Sequence, residues 1–124
     1  MPVISHASAP VFELDNATIV GLASPSRGAS DIACWRVRFQ PGIATILHSL
    51  TREETFFVLS GTLTAKFEDG TNHEHAHSGD ALIVPAGRTF SLVAEHGPAE
   101  AICMLPVGGE AITDAGQFTP PWAR

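Results

Sequence analysis

Apolar residues recur in short runs of four to eight, each stopped by turn-forming residues, and no stretch sustains the 3.6-residue spacing of an amphipathic helix. The run Ile32 to Gln40 alternates: Trp35, Val37 and Phe39 fall on one face and Cys34, Arg36 and Arg38 on the other, the pattern of a half-buried strand. Val11 to Leu14 and Thr18 to Leu22 read as short strands broken at Asp15-Asn16. The segment Gly21 to Ser30, rich in Ser, Gly, Ala and Pro, reads as a loop. Further strands are expected at Thr62 to Glu68 (ending in Asp69-Gly70), Asn72 to His77, Ala81 to Val84 (stopped by Pro85-Ala86-Gly87), Thr89 to Ala94 and Ala99 to Leu105. About ten short strands with turn chemistry between them predict an all-β sandwich or barrel. The tail after Pro106, residues 107–124, carries Pro120-Pro121-Trp122 and is expected to be an irregular arm that could cross a dimer interface.

One stretch concentrates the chemistry. Between Pro41-Gly42 and Ser60-Gly61 lie two apolar runs split by Thr51-Arg52-Glu53-Glu54. His48 comes late in the first run and Glu54 opens the second, so two neighbouring strands would bring an imidazole and a carboxylate to one face. Burial lowers an imidazole's pKa and a nearby carboxylate raises it, which leaves the sign open at this level. Either way the pair could exchange a proton near neutral pH, His48 transferring it and Glu54 orienting the ring. An inert, hydrogen-bonded pair inside a binding barrel is the competing reading.

Composition narrows the field. A chain of 124 residues with 44% apolar and 16% charged residues is one ordinary globular domain; area scaling gives roughly 6,400 Å² of folded surface. Seven basic against 13 acidic residues make a net charge of −6, with no concentrated basic surface, so nucleic acid is not expected as a partner. No apolar run approaches the ~18 residues of a membrane span, and the first eleven residues lack the basic-then-apolar order of an export signal. A cytoplasmic address is the expectation. Cys34 and Cys103, both in apolar stretches, read as reduced core thiols. Phosphate-cradling Gly-rich loops, Cys-x-x-Cys and the Gly-x-Ser-x-Gly elbow are all missing.

The turns and the residues between them resemble the cupin family, small jelly-roll barrels recognised by two motifs. The first motif, Gly, five residues, His-x-His, three or four residues, Glu, six residues, Gly, is met by Gly42, His48, Glu54 and Gly61, with Leu50 in place of the second histidine. The second, Gly, five residues, Pro-x-Gly, two residues, His, three residues, Asn, is met by Gly79, Pro85 and Gly87, with Phe90 and Ala94 at both polar positions. The resemblance spans residues 42–94 and implies a single cupin domain over 1–124. In the resembling metalloproteins the three histidines and the Glu hold a divalent transition metal. Here only His48 and Glu54 survive of that set, and a stable site normally uses three or four protein ligands. No cofactor is therefore expected, a metal held by His48 and Glu54 being the alternative. The resemblance implies a small-molecule ligand and commonly a homodimer, which would also cover exposed strand edges.

The functional expectation is acid–base chemistry on a small organic substrate (isomerisation, cyclisation or dehydration), with Ile46, Leu50, Phe56 and Phe90 forming an apolar pocket around His48 and Glu54. Arg36 and Arg38 are candidates to clamp a substrate carboxylate, against the ordinary reading of a solvated face. Two other classes stand beside it: a metal-dependent oxygenase with ligands completed outside the motifs, and a non-catalytic sensor or carrier. His73, His75 and His77 would share one face of a strand at a spacing able to chelate a metal. In the family's register Ala76 points inward, so these histidines are expected to face out.

Overall fold

The computed structural model describes all 124 residues as twelve short strands and three single-turn 3₁₀ helices. The strands are β1 (Val11–Glu13), β2 (Ala17–Ala23), β3 (Ile32–Phe39), β4 (Ser49–Leu50), β5 (Glu54–Ser60), β6 (Thr62–Phe67), β7 (Glu74–His77), β8 (Ala81–Val84), β9 (Phe90–Val93), β10 (Ala99–Pro106), β11 (Ala111–Thr113) and β12 (Gly116–Phe118). A six-stranded sheet, ordered β1-β2-β3-β10-β5-β8, packs against the three-stranded sheet β7-β6-β9, and a small sheet β12-β11-β4 sits at one end. All pairings between these strands are antiparallel, as in a jelly-roll barrel. No helix is long and apolar enough to cross a membrane.

Alternation decides which side chains go inside. On β3 the residues Ala33, Trp35, Val37 and Phe39 are buried, and on β10 every second residue from Ala99 to Leu105 is. A slip of one residue would turn these sets out to water, so register and burial enforce each other. The inward residues join Phe56, Val58, Leu63 and Phe90 in one cluster of 24 buried side chains. The exposed surface, 6593 Å², agrees with the area expected for a chain of this size. Gly61 turns the chain between β5 and β6 at φ +76°, where a Cβ would also stand 2.5 Å from the Pro98 carbonyl oxygen. Only glycine meets both conditions.

Two segments differ from expectation. The run Ile43 to Leu47 is not a strand. It follows β9 through Gly42 N–H to Ala94 C=O, Thr45 N–H to Leu92 C=O, and reciprocal bonds between His48 and Phe90. Gly42, Thr45 and His48 advance by threes while Ala94, Leu92 and Phe90 retreat by twos, so each interval carries one surplus residue. The Thr45 hydroxyl accepts the Leu92 N–H, taking the place of a main-chain acceptor. Apolar periodicity could not reveal that mismatch, which leaves Ile46 70% exposed.

The tail is also more ordered than an irregular arm. β11 and β12 form a hairpin paired through β11 to β4, and the last turn, Pro121–Ala123, folds back on its own barrel. There Trp122 lies at ring-centroid distances of 6.0 Å from Phe12 and 6.4 Å from Trp35. Arg27 donates to the Leu22 and Trp122 carbonyls, and Ser26 Oγ to that of Arg124.

Candidate functional site

The inner face of the large sheet, the 42–48 segment and the tail enclose a cavity of about 630 Å³. Glu54 reaches it because β5 turns Glu54, Phe56 and Val58 inward. The Glu54 carboxyl is 5% exposed and makes no hydrogen bond or ion pair within the chain. Desolvation therefore acts on it unopposed and pushes its pKa up to about 8. Near pH 7 this side chain is a neutral acid that can donate a proton.

His48 stands on the opposite wall. Its bridge to Phe90 fixes the backbone, and its ring lies 4.5 Å from the Phe90 ring. Nδ1 is 2.8 Å from the Ile46 carbonyl oxygen. A carbonyl only accepts, so Nδ1 carries the proton and the neutral ring keeps its lone pair at Nε2. Burial lowers the imidazole's pKa, partly opposed by the bond to Ile46. The orienting partner is thus a main-chain carbonyl two residues back, and no hydrogen bond or ion pair joins His48 to Glu54. This corrects the expected role of Glu54 as the group that orients the ring.

Of the expected pocket residues, Ile46, Leu50 and Phe56 line the cavity with His48 and Glu54. Phe90 does not. It is fully buried behind His48 and Phe56, and so supports the wall. Arg36 and Arg38 stand on the outer face of β3, both paired with Glu100 of β10, where no substrate inside the barrel can meet them. Their place follows from the alternation that buries Trp35 and Val37.

Several lining residues escaped the sequence reading: Leu14, Asp15, Asn16, Trp35, Cys103, Phe118 and Trp122. Trp35 was detectable, since it shares a face with Val37 and Phe39. Trp122 and Phe118 arrive through the folding back of the tail, for which the chain gives no local signal. The Asn16 amide nitrogen is fully buried without a partner. Cys103 is buried in the same wall, and desolvation, with the Glu54 charge nearby, raises its thiol pKa well above the ordinary value. It is a poor nucleophile there. Cys34 instead lies half-buried on the outer face, and both cysteines are free. His75 and His77 face outward, each with Nδ1 at hydrogen-bond distance from a threonine on β6 (Thr64 and Thr62), while Ala76 is buried as expected.

The donor set does not fit a resident transition metal. Leu50 and Phe90 put hydrocarbon at two of the four ligand positions, and no three His, Cys, Asp or Glu side chains converge anywhere in the chain. The set suits proton transfer instead: one neutral acid and one imidazole lone pair across an apolar cavity.

Twelve antiparallel strands closed around an apolar cavity define a jelly-roll barrel. The family model described as Cupin domain matches residues 35–105, and the chain belongs to that family. No curated protein matches the sequence. Among solved structures, the polyketide cyclase RemF from Streptomyces resistomycificus is similar with a TM-score of 0.76 at 18% identity, over 86% of this chain and 79% of that one. KdgF from Halomonas sp. is similar with a TM-score of 0.70 at 16% identity, over 86% and 93%. Oxalate decarboxylase from Bacillus subtilis has a TM-score of 0.75 at 18% identity over 93% of this chain, which spans only 31% of that longer protein. At these identities the likeness establishes the fold alone.

Proposed function

We propose that the protein is a metal-independent cupin enzyme that binds a small organic molecule in the barrel and moves a proton on it, in an isomerisation, cyclisation or dehydration. One observation carries this reading. In a single apolar cavity, desolvation pushes an acid's pKa up to about 8 and an imidazole's pKa down. Near neutral pH the acid therefore keeps its proton while the base keeps its lone pair. His48 Nε2 is the base that removes a proton from the substrate. Glu54 is the acid that supplies one to a developing oxyanion or leaving group; at the end of the cycle His48 gives up the proton it took and Glu54 takes one back, through the product or water, so both return to their starting states. The Ile46 carbonyl holds the ring in the productive tautomer, and the Phe90 ring backs it. That RemF, a cyclase, shares the fold is compatible with this reaction class.

The test starts from molecules that co-purify with the protein, identified by mass spectrometry, and follows deuterium uptake from heavy water into the bound compound. The wild-type protein should label it. His48→Ala should slow labelling roughly 10²–10⁴-fold, the usual contribution of a general base, while retaining the compound. Retention without any labelling by the wild type would make the protein a carrier or sensor and end the catalytic reading. A homodimer belongs to the same proposal: β1 and β8 leave the large sheet with open edges, and Phe57 and Ile83 are exposed beside the β8 edge. Sedimentation at micromolar concentration tests it, a monomer being the contrary result.

A further inference from the structure

The cavity wall carries carboxyl groups but no permanent cation. Its titratable lining groups are Asp15, His48, Glu54 and Cys103, and none of the seven Lys and Arg residues of the chain is among its walls. Five of those cations are engaged elsewhere: Arg36 and Arg38 with Glu100, Lys66 with Glu95, Arg88 with Asp69, and Arg27 with two carbonyls near the tail. Arg52 and Arg124 are exposed outside the cavity. An anion entering this space would exchange hydration for hydrocarbon and two carboxyl groups, with no counter-charge.

The shape is as one-sided as the charge. Phe56 pairs with Cys103, which sets Glu54 level with Leu105; Ala17 and Ala99 both pair with Phe39, which sets Asn16 about level with Pro98. Seven residue steps of strand separate these two levels, so the cavity extends about 20 Å along the barrel. Its partly exposed rim includes Leu14, Ile43, Ile46 and Phe118. Exposed apolar side chains gathered at a mouth mark an entry for apolar surface.

We infer that the cavity selects uncharged, elongated, largely apolar molecules and rejects carboxylates and phosphates of the same size. The inference rests on reading the cavity as the ligand site and is independent of catalysis by His48 and Glu54.

A matched pair of probes tests it: N-phenyl-1-naphthylamine and its sulfonated counterpart 8-anilinonaphthalene-1-sulfonate, which differ by one negative charge. Both tryptophans of the chain, Trp35 and Trp122, lie in the cavity wall, so a probe bound there quenches their emission by energy transfer. At pH 7 the neutral probe should quench saturably and the sulfonate should bind about tenfold or more weakly. Ala44→Arg places a cation on an exposed lining position and should narrow that gap to about threefold, with neutral-probe affinity unchanged. Thr113→Trp, which narrows the cavity from β11, should weaken neutral-probe binding, measured by the probe's own emission. Equal or tighter binding of the sulfonate, no binding of either probe, or neutral-probe affinity unchanged in a folded Thr113→Trp variant would each overturn the inference. Loss of deuterium labelling with the probe preference intact would remove the catalytic reading alone.

Discussion

Two glutamates on adjacent strands of one sheet meet opposite fates. Glu54 on β5 points into the barrel, has no partner, and is pushed up to about 8 by desolvation. Glu100 on β10 points outward, binds Arg36 and Arg38, and is held below the ordinary carboxylate range chiefly by its bond to Arg36. The side chain is the same, and strand parity alone decides between a poised acid and a solvated ion pair. The arginines that might have served a substrate carboxylate are spent on the outer glutamate, and that is also why the cavity is left without a cation.

The sharpest way to break the contrast is to neutralise each glutamate in turn, and Glu54→Gln should have the larger effect. In the unfolded chain Glu54 ionises near 4.5, and in the folded chain only near 8. Between those values the native state holds one proton more, so stability falls as pH rises through that window and levels off above it. The gap corresponds to about 5 kcal/mol as an upper figure. Urea unfolding between pH 4.5 and 9 should show that decline in the wild type and a much flatter profile in Glu54→Gln, which mimics the neutral acid. His48, with its lowered pKa, adds the opposite slope, losing stability as pH falls below 6.5. For turnover, the acid limb should lie below 6.5 and the alkaline limb near 8, and Glu54→Gln should remove the alkaline limb along with most of the rate.

Phe90→Ala attacks the wall that keeps the inner region dry. The ring is fully buried against His48 and Phe56, and its truncation should cost about 3–5 kcal/mol. Water admitted behind His48 should bring both limbs of the pH profile back toward ordinary values. Denaturant midpoints and the pH–rate profile check the two halves separately.

Much of this contrast was readable in the chain. The alternation in 32–40 placed the arginines on the face opposite Trp35, and the Gly42, Glu54, Gly61, Gly79, Pro85 and Gly87 skeleton carried the fold, because turns and inward parity are local properties. Leu50 and Phe90 already told that hydrocarbon replaces ligands. What escaped is what depends on distant contacts. The surplus residues of 42–48 exist only relative to β9, and they release the Ile46 carbonyl that holds the His48 ring. The β11–β12 hairpin pairs with a two-residue strand some sixty positions earlier, and Trp122 finds Trp35 and Phe12 only once the barrel exists. The sign of each pKa shift likewise needed burial to be known.

The tail gives a third and smaller test. Arg27 is accommodated because residue 21 is glycine; a Cβ there would stand 2.6 Å from the guanidinium. Arg27→Ala leaves the Leu22 and Trp122 carbonyls without their donor and should cost about 1–3 kcal/mol. Because Trp122 forms part of the cavity wall, tryptophan emission should shift to the red in the same variant, which thermal unfolding followed by fluorescence would register.

Glu100→Gln closes the comparison from its weak side. Its two arginines are about half exposed, so water already screens much of the attraction, and exposed pairs contribute about 0–1 kcal/mol. Glu100 has its pKa lowered, so whatever it contributes is present above the ordinary carboxylate range and is lost as pH falls through its depressed value. The variant should thus unfold within about 1 kcal/mol of the wild type at pH 7 and still more closely at pH 3, in both cases without change in turnover. A loss of activity as large as that from Glu54→Gln would mean that a substrate or a second chain reaches the outer face. Parity on the strand would then no longer separate the acid that acts on the ligand from the one that only decorates the surface.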